Sequence, residues 1–308
     1  MNSPRRVLIA LGGNALLPRG QAPEAQIQVD HVASVAPALA VAARHHQLII
    51  THGNGPQIGM LSLESGDDRS ISRPYPLDAL VAETQGLIGY WLQQSIAAAG
   101  LPGAIVSIVT QTLVDPNDPG FGNPTKFIGA TYSESDAKRL AAERGWAVKP
   151  DGAKWRRVVA SPLPVGIVET PIVRELLELG VTVICAGGGG APVVAEGTGH
   201  RGVEAVVDKD HVAAMLALDL HADMLVMLTD VDAVYADYGT PNQRALGRVS
   251  VEQLSADDFP AGSMGPKIQA AAHFARKSGK EAAIGALDDL AEVLTGRAGT
   301  HIVAESDN

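Results

Sequence analysis

Three lysines of this chain stand at turns marked by Gly, Pro and Asp instead of along a solvated helix face. Lys126 follows Pro124 and Thr125, Lys209 lies between Asp208 and Asp210, and Lys267 follows Gly265 and Pro266 at the head of a helical pattern. Only eight of the 24 basic residues are Lys, so three at such junctions is a large share. A cation in the first turn of a helix opposes the helix dipole, a conflict that a bound phosphate removes. Three glycine loops suit the same ligand: Gly12-Gly13-Asn14, His52-Gly53-Asn54-Gly55-Pro56 and Gly187 to Gly190, each at the end of a short apolar run. Glycine there lets backbone N–H groups approach an anion closely. Taken singly, each feature keeps a plainer reading open: glycine as a strand-to-helix turn, Asp208 as an N-cap, Lys209 and Lys267 as solvated charges.

Acids stand at another strand end, in Thr229-Asp230-Val231-Asp232-Ala233-Val234-Tyr235 after the run Met224 to Leu228. They could orient lysines, join a Mg²⁺ shell or cap a helix. Other chemistries lack their residues. No glycine loop fits G-x-x-x-x-G-K-[ST] or opens a dinucleotide-binding helix, no His pair has H-E-x-x-H spacing, and G-x-S-x-G is missing. A single Cys185 inside an apolar run excludes an intrachain disulfide and thiolate metal sites. The net charge of −10, with no basic run longer than Arg156-Arg157 and no interleaved aromatics, argues against nucleic acid.

The elements that must position these residues follow from periodicity. Val7 to Leu11, Leu48 to Thr51, Ala104 to Val109, Val181 to Ile184 and Met224 to Leu228 are nearly all-apolar runs, expected as central strands buried on both faces. Helical patterns alternate with them, at Glu24 to His45, Leu80 to Ala99, Pro171 to Leu179, Val212 to Leu218 and from Pro266 to Gly279, which predicts a parallel α/β sheet. Pro37 is expected to bend or split the first helix. Between Asp115 and Lys154 the buried-strand pattern stops and Pro116, Pro119, Pro124 and Pro150 punctuate a polar stretch with one helical piece, Ser133 to Arg144. This reads as a flap protruding from an N-terminal lobe of residues 1–170, with a second lobe at 171–308. The uncharged stretch Leu179 to Ala195 carries five glycines and a proline, and no membrane span is expected. Seven residues separate Arg6 from the first glycine pair's far side, too few for a signal-peptide core, and the expected location is cytoplasmic.

Several blocks together match one family: Ile9 to Leu16, Thr51 to Gly59, Pro76-Leu77-Asp78, Gln85 to Tyr90, Ala186 to Gly190, Val207 to Asp210, Leu228 to Tyr235 and Gly262 to Lys267. In this order they resemble the carbamate kinases of the amino acid kinase superfamily over essentially the whole chain. The resemblance implies a three-layer α/β/α sandwich with a mainly parallel central sheet, a small protruding subdomain, a homodimer, and reversible transfer ATP + carbamate = ADP + carbamoyl phosphate. The expected setting is ATP formation in arginine or purine/allantoin catabolism. It further implies that Gly12, Gly13, Asn14, Gly53 and Asn54 hold carbamate and the transferring phosphoryl group. Lys126, Lys209 and Lys267 would surround that group, with Asp210 orienting the lysines. ATP or ADP would lie over Thr229, Asp230, Asp232, Tyr235, Met264, Gly265 and Lys267, with Mg²⁺ carried mainly by its phosphates and no protein metal site. A superfamily kinase acting on an amino-acid carboxylate, or a non-catalytic nucleotide-binding regulator, are the alternatives; a regulator would be expected to lack one of the lysines. The chain departs from the family pattern at Phe127 and Ala130, where prolines are usual, and at Leu163 and Gly166, where Gln and Asp are. The flap is expected to have more conformational freedom in consequence.

Overall fold

The structure, a computed structural model, describes residues 4–13, 16–17, 21–254, 259 and 264–305. The first apolar runs pair in parallel: β1 (Arg5–Leu11) lies beside β2 (His46–His52), with Val7 opposite Leu48 and Leu11 opposite His52, and α1 (Ala25–His45) links them. The chain continues through α2 (Gly55–Asp67), α3 (Leu77–Ala98), β3 (Ile105–Ser107) and β4 (Gln111–Val114). The excursion follows, as β5 (Lys126–Tyr132), α4 (Glu134–Arg144), β6 (Ala147–Asp151) and β7 (Lys154–Val159). Next come β8 (Pro164–Ile167), α5 (Thr170–Glu178), β9 (Thr182–Ile184), β10 (Ala191–Glu196), β11 (Gly199–Gly202), α6 (Lys209–Asp219) and β12 (Met224–Thr229). The short β13 (Tyr235–Ala236), β14 (Arg244–Ala245) and β15 (Arg248–Ser250) precede α7 (Met264–Ser278), β16 (Glu281–Ala286), α8 (Leu290–Leu294) and β17 (Thr300–Val303).

Eight strands form the central sheet in the order β15-β17-β16-β12-β1-β2-β9-β3, parallel throughout except for the β16–β17 pair. Alternation along β1 explains the layers. Leu8 and Ala10 face one apolar cluster with Val212, Leu216, Phe274 and Ala275 of α6 and α7. Val7, Ile9 and Leu11 face another with Val32, Leu39, Ile88 and Leu92 of α1 and α3. A sheet buried on both faces needs strands apolar at every position, which is the pattern of these runs. The outcome is the expected α/β/α sandwich, with β9 inserted between β2 and β3.

Of the bend or split expected at Pro37, the split does not occur: α1 is one helix of 21 residues. Val32, Val35, Ala36, Leu39 and Ala40 are buried on both sides of the proline, and their packing outweighs one lost backbone hydrogen bond. The excursion holds more than a helix: β5, β7 and β6 form an antiparallel sheet with β7 central. Its inner residues Ile128 and Val159 join Ile58, Leu77, Leu80 and Val206 in a third apolar cluster. Gly129, at φ +73°, lies against Gly59 of α2 so closely that a Cβ on Gly59 would overlap its backbone. The flap is thereby seated on α2. Among the described residues no helix is long and apolar enough to cross a membrane.

Candidate active site

The glycine loops meet at the carboxyl ends of the central strands, where parallel sheets bind ligands. Gly12 N–H donates to the Leu228 carbonyl at 2.9 Å, and Gly53 N–H donates to the Leu11 carbonyl at 3.0 Å. These bonds extend the ladder past the strand ends and bring the loops together; a Cβ on Gly53 would stand 3.0 Å from Gly13 N. Asn54, 3% exposed, begins α2 and donates its amide to Thr84 Oγ1 at 2.8 Å. Gly188 of the third loop, at φ +65°, lies on that amide, where any side chain would collide. A buried network holds this loop in place. Gln85 Oε1 accepts from Thr110 N–H and Oγ1, Thr110 Oγ1 accepts from Ala186 N–H, and Thr51 and Thr112 hydroxyls donate to the Ala186 and Gly189 carbonyls. His52, buried beneath the loops, has its pKa lowered to about 4 chiefly by burial and is neutral near pH 7. Asn14 lies outside the described residues.

The lysines converge on two carboxylates at the head of α6. Asp208 caps the helix, its Oδ1 accepting from the Asp210 and His211 amides at 2.9 and 3.4 Å. The cap sets Lys209 and Asp210 in the first turn, at 8% and 5% exposure. Lys209 Nζ donates to Asp210 Oδ1 at 2.6 Å, and Lys267 Nζ, from the first turn of α7, to Oδ2 at 3.1 Å. Lys126 Nζ, from β5, donates to Asp208 Oδ2 at 2.5 Å. Burial alone would raise the pKa of Asp210, but Lys209 and Lys267 hold it below the usual carboxylate value. Burial likewise works against Asp208 being charged, yet Lys126 and His211 keep its pKa well down. Burial lowers the Lys209 pKa despite Asp210, whereas Asp208 outweighs burial at Lys126 and raises it. The site is therefore a cluster of three cations, Lys209 buried and Lys126 and Lys267 half-buried, balanced by two carboxylates.

A cleft of about 590 Å³ opens on this cluster, lined by Gly13, Gly53, Asn54, Lys126, Lys209, Asp210 and Lys267 among the sequence-derived candidates. Gly12, Thr229, Asp230, Asp232, Tyr235, Met264 and Gly265 do not line it. Gly12 lies behind, against Leu228. Thr229 and Asp230 stand at the end of β12, Thr229 Oγ1 donating to Asp230 Oδ1 at 3.1 Å, and Tyr235 donates its hydroxyl to Asp232 at 2.8 Å. Met264 and Gly265 open α7 ahead of Pro266 and Lys267, which line the cleft. Sequence reasoning missed the flap side of the cleft, where Phe127, Ile128, Asp151 and Arg156 lie. Arg156 pairs with Asp151 at 2.9 Å and lies 5.8 Å over the Phe127 ring. Only the paired arginines 156 and 157 hinted at it. Asp208 as partner of Lys126 was also missed, since 82 residues separate them. Fixed cations around a cleft roofed by glycine loops can stabilise charge on a transferring phosphoryl group without covalent help.

Comparison with known proteins finds relatives along nearly the whole chain. The sequence model of the Amino acid kinase family matches residues 5–286. The carbamate kinase of Rhizobium meliloti (strain 1021) is 48% identical over 302 residues, covering 96% of this chain and 93% of its own. That of Escherichia coli (strain K12) is 47% identical over 298 residues, covering 97% and 99%. Among solved structures, carbamate kinase from Giardia lamblia bound to citric acid aligns with a TM-score of 0.92 at 37% identity, over 98% of this chain and 99% of that one. The same kinase bound to AMP-PNP aligns with a TM-score of 0.88 at 38% identity, over 98% and 99%.

Proposed function

The chain belongs to the amino acid kinase family and, within it, to the carbamate kinases, and from that premise we propose that it moves a phosphoryl group reversibly between ATP and carbamate, giving ADP and carbamoyl phosphate. The observation that carries the reading is the convergence of Lys126, Lys209 and Lys267 on Asp208 and Asp210 beside one cleft. In transfer toward ADP, a β-phosphate oxygen attacks phosphorus, the bond from phosphorus to the carbamate oxygen breaks, and carbamate leaves with that electron pair. The residues have positioning and electrostatic work only. Gly13, Gly53 and Asn54 seat carbamate and the transferring group, with Gly12 and Asn14 completing their loop. Lys126, Lys209 and Lys267 neutralise its equatorial oxygens, and Asp210 fixes two of those lysines. The nucleotide extends from the α7 head toward Thr229, Asp230, Asp232 and Tyr235, past Met264 and Gly265.

Asp151, Asp208 and Asp210, the carboxylates that line the cleft, each face a cation. That donor set fits Mg²⁺ brought in on the nucleotide phosphates, where it would neutralise developing charge. The same reading places the carbamoyl site in residues 1–170 and the nucleotide in 171–308. It carries with it a homodimer, a cytoplasmic location, and ATP formation at the end of arginine or purine/allantoin breakdown. The test is ATP formed from ADP, Mg²⁺ and carbamoyl phosphate. Steady turnover supports the reading, and its absence with a folded protein overturns it.

A further inference from the structure

Asp208 does two jobs with one carboxylate. Its Oδ1 receives the amides that begin α6, the turn carrying Lys209 and Asp210, while its Oδ2 receives Lys126 from the flap at 2.5 Å. Both partners are half-buried at the edge of the cleft, 82 positions apart in the chain. A helix cap needs an oxygen acceptor and no charge; Asn serves as well as Asp. The cap of α6 therefore needs only the oxygen, and of the groups hydrogen-bonded to Asp208 the charged one is Lys126 of the flap. Lys126 has three N–H donors, of which Asp208 takes one. The remaining two are left for the cleft that Lys126 lines.

Resting on the reading above, we propose that Asp208 is a positioning residue that docks the flap by its Lys126 ammonium and aims that ammonium at the transferring phosphoryl group. Removing the charge leaves a half-buried ammonium without its partner, and Asp210, the other carboxylate that favours its charge, already takes Lys209 and Lys267. Lys126 then withdraws toward solvent, and with it the β5 edge of the cleft. The nucleotide side is untouched, because Lys209 and Lys267 keep Asp210.

The test uses the full chain and the variants Asp208→Asn, Lys126→Ala and the two combined. In ligand-free protein, Asp208→Asn is expected to speed amide hydrogen exchange across residues 126–132 and leave residues 209–219 protected, since Asn keeps the cap. In ATP formation it is expected to lower kcat/KM for carbamoyl phosphate about 10- to 100-fold, the range of one charge-assisted hydrogen bond, with ADP affinity by calorimetry unchanged. In the Lys126→Ala background the same substitution is expected to change kcat/KM by less than about twofold, because its route is already gone. Multiplying losses in the double variant, or equal exchange at 126–132 with and without the charge, overturn the proposal. If Asp208→Asn exposes residues 209–219 as well, Asp208 is a cap of α6 and the flap role is wrong. The exchange arm involves no turnover, so it decides the docking even if the chain makes no ATP from carbamoyl phosphate.

Discussion

Lys209 is the most enclosed of the three cations, and Asp210 is its only carboxylate hydrogen-bond partner among the described residues. Lys209→Ala is expected to lower kcat by roughly 10²–10³, the scale of losing one donor to developing negative charge, with a smaller change in ADP affinity. Near-normal turnover would reduce Lys209 to a buried counter-ion. Lys267 shares the same carboxylate but stands in the first turn of α7, a helix head to which the proposed function assigns the nucleotide phosphates. Lys267→Ala is therefore expected to weaken ADP and ATP binding as well as turnover, and calorimetry showing unchanged nucleotide affinity would contradict that placement. Legibility at this scale depended on whether a residue's type was odd for its local setting. Lys126, Lys209 and Lys267 stood out because cations rarely occupy such turns, and Gly53 because glycine at a strand end lets backbone N–H groups approach an anion. Thr84 and Thr110 gave no signal, and Gln85 figured only in a block of the family resemblance, because their bonds to Asn54 and the third glycine loop exist only once distant segments meet.

Among the elements, the flap is the part the sequence described least. Its helix was visible through Ser133 and the acids after it, and Ser133 does cap α4. β5 and β6 were not, since their strands are half-exposed, carry Lys149-Pro150, and lose register between Ile128 and Thr131. The expected looseness from Phe127 and Ala130 also has a local answer. Phe127 supports the Arg156 guanidinium, and Ala130 falls in the irregular step beside Gly129. Lys126 needs no large swing, for in this structure it already lines the cleft with Lys209 and Lys267. Apart from the Lys126–Asp208 pair, the flap is seated by the Gly59–Gly129 contact, backbone against backbone. Gly59→Ala is expected to destabilise the protein by about 1–3 kcal/mol and raise KM for carbamoyl phosphate, because neither partner is a side chain that can turn aside. Gly86→Ala in α3, where a Cβ meets open space, is the control and should leave Tm equal or higher. Equal melting of both variants would mean the flap is not seated there.

For the whole molecule, the continuous apolar runs announced the central sheet and its two helical layers, because strands buried on both faces leave no other pattern. β9 between β2 and β3 could not be read, since spatial order depends on packing between segments far apart. The buried charges give the molecule a defined pH response. Folded His52 has its pKa depressed to about 4, so its contribution is complete above 6.5 and is lost as pH falls toward 4, on the order of 3 kcal/mol. Asp208, Asp210 and Glu281, the last lowered to about 2 first by the His301 hydrogen bond, act in the same sense at lower pH. His301 has the opposite sign, since Glu281 raises its pKa and its share fades as pH rises through that value. Tm is expected to fall from pH 6.5 to 4, and to fall less in His52→Gln; a flat profile in the parent chain would contradict the burial of a neutral His52.

The most direct test of three cations acting on one phosphoryl group is ATP formation from Mg²⁺, ADP and carbamoyl phosphate by the parent chain and by the Lys126→Ala, Lys209→Ala, Lys267→Ala triple variant, each checked for a cooperative thermal transition. The parent is expected to turn over and the folded triple variant to fall to the uncatalysed rate. A folded triple variant that still makes ATP at a rate near the parent's would show that the phosphoryl group is transferred somewhere else.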